Sequence, residues 1–156
     1  MIERGVIRNK KFAEQIRDFK KLIFENVTPT DIDGLIEFNN CIYILMEAKY
    51  LKDELPPGQE RAFVNLIDTI FEASKKGILI IAIHDKKPEN DIPFHACQVT
   101  RYRSRKKWYS PKKKMTIKTL IDSYLKKNCI DCPSINCSAN KYVKKMLRNK
   151  EYKKGI

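Results

Sequence analysis

Hydrophobic and polar positions change period several times along the chain, and each change marks an element. In "NKKFAEQIRDFKKLIF" the apolar residues Phe12, Ile16, Phe19 and Ile23 fall at spacings of four, three and four. That is the single stripe of an amphipathic helix, expected over residues 10–24. Pro29 then breaks the pattern, because the residue before a proline is pushed out of the helical region. "DIDGLIEF" alternates polar and apolar side chains, as a half-buried strand does. Asn39-Asn40 is a turn signal. "CIYILMEA" is a short apolar run rich in β-formers and reads as a central strand. The two strands form a β-hairpin, with Asp33 early on the first and Glu47 late on the second.

"YLKDELPPG" is a loop, and "QERAFVNLIDTIFEASKKG" is the strongest helical pattern in the chain. It places Phe63, Leu66, Ile67, Ile70 and Phe71 on one face, with Gly77 as its C-cap. "ILIIAIH" is a second buried strand, ending at His84, and "DKKPENDIP" is a polar loop. "FHACQVTRYRSRKKWY" reads as a further strand running into a basic arm, and "SPKKKM" as a linker. "TIKTLIDSYLKK" is a helix with Thr116 at its N-cap. "NCIDCPSINC" is irregular, and "SANKYVKKMLRNK" is a basic helix opened by Ser138. The order α-β-β-α-β-β-α-α predicts an α/β (α+β) fold, a mixed central β-sheet flanked by helices. Residues 1–110 form the expected core. Residues 111–156 form a basic helical extension with a cysteine cluster, packed on that core as one domain.

Charge divides the chain more sharply than hydropathy does. Residues 1–97 carry 14 Lys+Arg against 16 Asp+Glu, and residues 98–156 carry 18 against 3. The basicity therefore belongs to the C-terminal third, and its simplest partner is a polyanion, DNA or RNA. The stretch "RYRSRKKWYSPKKK" interleaves Arg101, Arg103, Arg105, Lys106, Lys107, Lys112, Lys113 and Lys114 with aromatic residues that include Trp108. Cations of this kind contact phosphates while aromatics stack on unpaired bases. No apolar run approaches the roughly 20 residues of a membrane span, and "MIERGVIRNKKF" has no signal-peptide core. The expectation is a soluble, cytoplasmic protein with no membrane partner.

The hairpin carries the candidate chemistry. Residues i and i+2 of a strand share a face, so Glu47 and Lys49 point the same way and Ala48 points to the other. A turn at Asn39-Asn40 brings Asp33 to the 47–49 end, so that two carboxylates and one ammonium converge at one edge of the sheet. Asp31 shares the strand face of Asp33. Mg²⁺ takes oxygen ligands and keeps several waters, so one or two carboxylates suffice. Such an ion polarises a phosphate and lowers the pKa of a bound water, and a lysine beside it balances developing charge. The competing reading is turn chemistry at Asp33-Gly34 and an exposed ion pair between Glu47 and Lys49.

"PTDIDGLIEF…YILMEAKY" resembles the signature of the PD-(D/E)xK nuclease superfamily, an acidic residue on one strand followed by an apolar strand ending in E-x-K. The resemblance covers roughly residues 10–100 and extends to small phage-encoded nuclease and resolvase-like proteins. It implies a restriction-endonuclease-like core and a Mg²⁺- or Mn²⁺-dependent deoxyribonuclease acting in DNA recombination, repair or replication. It makes Asp33 and Glu47 metal ligands, with Asp31 as a further candidate, and Lys49 the catalytic lysine. Gln59 resembles the start of the auxiliary Q-x-x-x-Y motif of some members, with Phe63 in place of the tyrosine. The N-terminal helix of resolvase-like members supplies a glutamate, for which Glu14 is the candidate. An endonuclease is favoured, since an exonuclease tunnel or ring requires a chain of this size to oligomerise. Branched or single-stranded DNA are candidate substrates, and a resolvase requires a homodimer. The alternative is a non-catalytic nucleic-acid-binding protein that works through its basic C-terminal third.

Five cysteines without a secretion signal argue against a disulfide framework. Cys129, Cys132 and Cys137 form C-x2-C-x4-C, which offers three thiolates toward Zn²⁺. Cys97 and His95, two residues apart, are the candidates for a fourth ligand. Some nucleases of the superfamily hold an iron–sulfur cluster with one distant cysteine and a C-terminal trio, a spacing this one resembles. Buried free thiols are the alternative.

Overall fold

The computed structural model describes residues 21–25, 27–129 and 137–154, with side chains described through residue 149. The chain divides into a unit ending at Asp31 and a second unit, Ile32–Ile156. Most of the helix expected over residues 10–24 lies outside the described residues, and so does Glu14. Its last four positions are not helical: Phe24 bridges Val27, and Ile23 is exposed. Among the described residues no helix is long and apolar enough to cross a membrane.

The second unit is built on a mixed five-stranded sheet. Strand β1 (Gly34–Phe38) pairs antiparallel with β2 (Ile42–Tyr50). The turn between them puts Asn39 and Asn40 at φ 50° and 55°, a left-handed conformation that asparagine tolerates. Helix α1 (Pro57–Glu72) carries the chain across the sheet to β3 (Lys76–His84), which lies parallel to β2. A single turn of 3₁₀ helix at Phe94–Ala96 leads to β4 (Gln98–Ser104), antiparallel to β3. Strand β5 (Lys107–Tyr109) folds back on β4. Helices α2 (Ile117–Cys129) and α3 (Ser138–Lys154) follow. The spatial order is β1-β2-β3-β4-β5.

The apolar runs of β2 and β3 are continuous because helices cover both faces of the sheet. Leu45, Leu79 and Ile81 face α1 and pack with Leu55, Phe63 and Ile67. Ile42, Ile44, Met46, Ile78 and Ile80 face the other way, onto Ile117, Leu120, Ile121 and Leu125 of α2 and Val143 of α3. The basic helical extension thus belongs to the same unit as the sheet. Thr116 caps α2 as expected, accepting from the amide of Thr119 at 3.2 Å. Ser138 opens α3 differently: its amide and hydroxyl both bond the Asn39 side chain, at 2.9 and 2.6 Å, tying α3 to the β1–β2 turn.

Three features differ from the sequence reading. Helix α1 ends at Glu72, and Ser74 rather than Gly77 takes the left-handed conformation, at φ 60°. Gly77 is instead the second residue of β3, where a Cβ would lie 2.8 Å from Ile67 Cδ1. Its missing side chain is what lets α1 settle on the sheet. Leu66 and Phe71, placed on the core face of α1 by periodicity, are exposed. The basic arm is a hairpin: a two-residue turn at Arg105-Lys106, with φ of 50° and 61°, adds β5 at the sheet edge.

Ile67 is 2% exposed and seated against Gly77. Ile67→Ala is expected to cost about 2–5 kcal/mol through lost burial and a residual cavity. The urea midpoint, read at unchanged m-value, checks it.

Candidate active site

Alternation along β2 turns Leu45, Glu47 and Lys49 toward α1. Glu47 and Lys49 sit at the C-terminal end of β2, opposite Ile81 and Ile83 of the parallel β3. Pro56 and Pro57 start α1 just beyond this edge, so Gln59, on its first turn, reaches back over the strand end.

Glu47 is 1% exposed. Its Oε1 forms an ion pair with Lys49 Nζ at 2.7 Å and accepts from Gln59 Nε2 at 3.1 Å. Lys49 Nζ also donates to Gln59 Oε1 at 3.3 Å, which closes a triangle of acid, base and amide. Glu47 Oε2 is buried without a hydrogen-bond partner. Asp33 occupies a bend immediately before β1 rather than a place on the strand. The β1–β2 ladder stops at Gly34 opposite Met46, and Asp33 Oδ2 continues it by accepting from the Ala48 amide at 2.8 Å. Gly34 packs closely there: a Cβ would lie 2.9 Å from Met46 Cε and 3.1 Å from the Phe94 ring, so those side chains would have to shift.

Burial pushes the Glu47 carboxyl above the ordinary range. The hydrogen bond from Lys49 works against this, and the negative charge of Asp33 adds to it. A buried carboxylate, strained upward by a second carboxylate and holding one unsatisfied oxygen, lacks a positive partner on the Oε2 side. This is not the exposed ion pair of the competing sequence reading. The donors fit a hard divalent ion: Glu47 Oε2 and Asp33 offer oxygens, which Mg²⁺ or Mn²⁺ complements with water. Among the described residues no group of three or more His, Cys, Asp or Glu side chains gathers into a metal cluster. Asp31, the last residue of the first unit, falls outside the unit that builds this triangle.

The other candidates are placed elsewhere. Cys97, Cys129 and Cys137 are buried among the apolar side chains beneath α2 and α3. Burial raises the Cys97 thiol above its ordinary pKa, and the charge of Asp33 adds to this. His95 is exposed on the 3₁₀ turn, and Cys132 lies outside the described residues. His84 stacks edge-on against Tyr50, with ring centroids 5.7 Å apart, and accepts from the Lys86 amide at 3.2 Å.

The cations of the hairpin are largely engaged by α1. Arg101 forks onto Glu60 with two 2.9 Å bonds, and Arg103 onto Asp68 at 2.9 and 2.6 Å. Lys106 pairs with Glu72. Arg105 donates to Asn128 at 3.5 Å. Trp108 lies under Arg101, 4.4 Å from the guanidinium to the ring centroid, and packs against the core. Lys107, Lys112, Lys113 and Lys114 are exposed, and among the described residues none of them forms an ion pair. Sequence reasoning missed Glu60, Asp68 and Glu72 as the partners of this arm, although their spacing on α1 repeats at eight and four residues. It also missed a cavity of about 470 Å³, lined in part by Lys52, Glu54, Glu60, Ile83 and Arg101. Ile83 pairs with Lys49 across the strands, so the cavity opens near the triangle.

No protein-family model, no curated protein and no solved structure matches this chain.

The raised Glu47 pKa means that the native chain binds this proton more tightly than the unfolded chain does. Stability from that proton is complete at low pH and is lost as pH rises from the ordinary carboxylate range through the raised native value. Glu47→Gln removes the dependence. In metal-free urea melts from about pH 4 to about pH 7, the stability of the parent relative to Glu47→Gln should fall steadily. A flat or rising difference contradicts the assignment.

Proposed function

We propose that the chain is a divalent-metal-dependent deoxyribonuclease of the PD-(D/E)xK type, acting as an endonuclease on DNA phosphodiester bonds. The observation that supports it is the orphaned, buried Oε2 of Glu47, whose carboxyl feels the negative charge of Asp33, with Lys49 and Gln59 tied to the other oxygen of the same carboxylate.

On this reading Asp33 and Glu47 would hold Mg²⁺ or Mn²⁺. When bound, the ion supplies Lewis-acid polarisation of the phosphate and a more acidic water. Lys49 orients the attacking water and offsets the negative charge that accumulates on the phosphate as the water oxygen bonds to phosphorus. The bond from phosphorus to the leaving oxygen breaks, and the proton given up by the attacking water passes through solvent to that oxygen. Gln59 bridges Glu47 and Lys49, so it fixes the distance between the metal-holding and water-orienting groups. Phe63, at the position of the auxiliary tyrosine in some members, is 2% exposed and serves the core under α1.

The test is cleavage of linear, nicked, single-stranded and four-way-junction DNA with Mg²⁺ and with Mn²⁺. The parent is expected to cut at least one of these at internal positions. Lys49→Ala should lower the rate by about 10²–10⁴-fold while leaving DNA affinity within error. If a purified parent cuts none of them, or Lys49→Ala cuts as fast, the triangle is a structural ion pair and the chain is a binding protein.

A further inference from the structure

We infer that the outer face of α3 is a docking surface for the phosphodiester backbone of a nucleic-acid duplex. The face is separate from the Glu47 edge, and the hairpin cations singled out by sequence are not its principal part. Lys141, Lys144, Lys145 and Arg148 line a groove of about 420 Å³ together with Asn149. All five are exposed, while Ala139, Val143 and Met146 on the opposite side of the helix hold it to the core.

Spacings of three and four residues put the four cations in adjacent pairs along one face, where like charges repel. Among the described residues none of the four forms an ion pair. This distinguishes them from Arg101, Arg103, Lys106 and Lys118, which are held by Glu60, Asp68, Glu72 and Asp122. The basic third therefore contains two populations of cation. One neutralises α1 and α2, and the other has no counter-charge in the described protein.

The shape and chemistry of the row select the partner. From Lys141 to Arg148 it extends about 10 Å at a rise of about 1.5 Å per residue. That length of duplex axis carries roughly six charges. Among the described residues the groove is lined by no apolar side chain to insert into a bilayer and has no apolar centre for the anchors of a protein partner. It offers positive charge and, at Asn149, an amide, which suits phosphate and sugar oxygens. The inference shares its polyanion with the nuclease reading but requires no catalysis. A chain that binds through α3 and cuts nothing fails that reading and retains this one.

Binding of labelled duplex DNA and duplex RNA is measured by anisotropy across a salt series, in chelator, on a Lys49→Ala background. Replacing Lys141, Lys144, Lys145 and Arg148 together by Gln is expected to weaken duplex binding at least tenfold. The log–log salt slope should flatten by about 2–4, near 0.9 per lost phosphate contact. Lys145→Gln alone, too mild to unfold the helix, should flatten it by about 0.9, which preserves the test if the quadruple variant loses its circular dichroism. Similar loss for DNA and RNA marks the shared backbone, and loss for DNA alone marks DNA as its source; both support the inference. Unchanged slopes in the folded variants overturn it. So does loss confined to Gln substitutions at Lys112, Lys113 and Lys114, or a parent that binds anionic vesicles and no duplex.

Discussion

A carboxylate taken out of water at the end of a parallel strand organises this edge of the sheet. Glu47 belongs to the same face as Leu45 and lies where α1 covers the sheet, so the fold that buries the leucine also buries the acid. An ionised carboxylate in such a place is tolerated only with partners. Lys49 and Gln59 satisfy one oxygen and leave the other without a partner, while the charge of Asp33 acts on the carboxyl as a whole. The residues around it follow from that requirement. Lys49 is two residues on, so it shares the face. Gln59 is set by the proline start of α1, and Asp33 is fixed by its bond to the Ala48 amide. That imbalance is the physical basis of the proposed metal-dependent centre.

The sheet and its two apolar faces were legible because period is a strong signal. The nine-residue strands β2 and β3, the α1 helix and the capped start of α2 all follow from spacing and cap chemistry. The pairing of Glu47 with Lys49 was legible for the same reason, since strand alternation puts them on one face. Asp33, expected early on the first strand, precedes it and is placed by its bond to the Ala48 amide. Other features were not. The Arg105-Lys106 turn holds two residues in the left-handed region without glycine or asparagine, so no turn signal announced β5. Gly77 reads as a helix cap from its position after a lysine pair, yet it is required by the approach of Ile67. Exposure of Leu66 and Phe71 reflects how narrow the contact of α1 with the sheet is, which periodicity alone does not reveal.

Charge was legible in amount but not in destination. A balance of 18 basic against 3 acidic residues after position 97 pointed to a polyanion, and the arm from Arg101 looked like its binding element. Tertiary pairing redistributes those charges. Two arginines fork onto carboxylates of α1 and clamp the hairpin over Trp108, so they brace the helix that carries Gln59. Among the described residues, cations without an ion pair include Lys141, Lys144, Lys145 and Arg148 of α3 and Lys107 and Lys112–Lys114. Ion pairs between elements distant in sequence have no local signature, which is why composition could locate the charge and only the fold could sort it.

Divalent-ion binding, measured calorimetrically without any nucleic acid, tests the central claim most directly. The parent should bind Mn²⁺ or Mg²⁺ at one site per chain, and Glu47→Gln and Asp33→Asn should each abolish that binding while remaining folded. A parent that binds neither ion, or a folded Glu47→Gln that binds as tightly as the parent, contradicts the account.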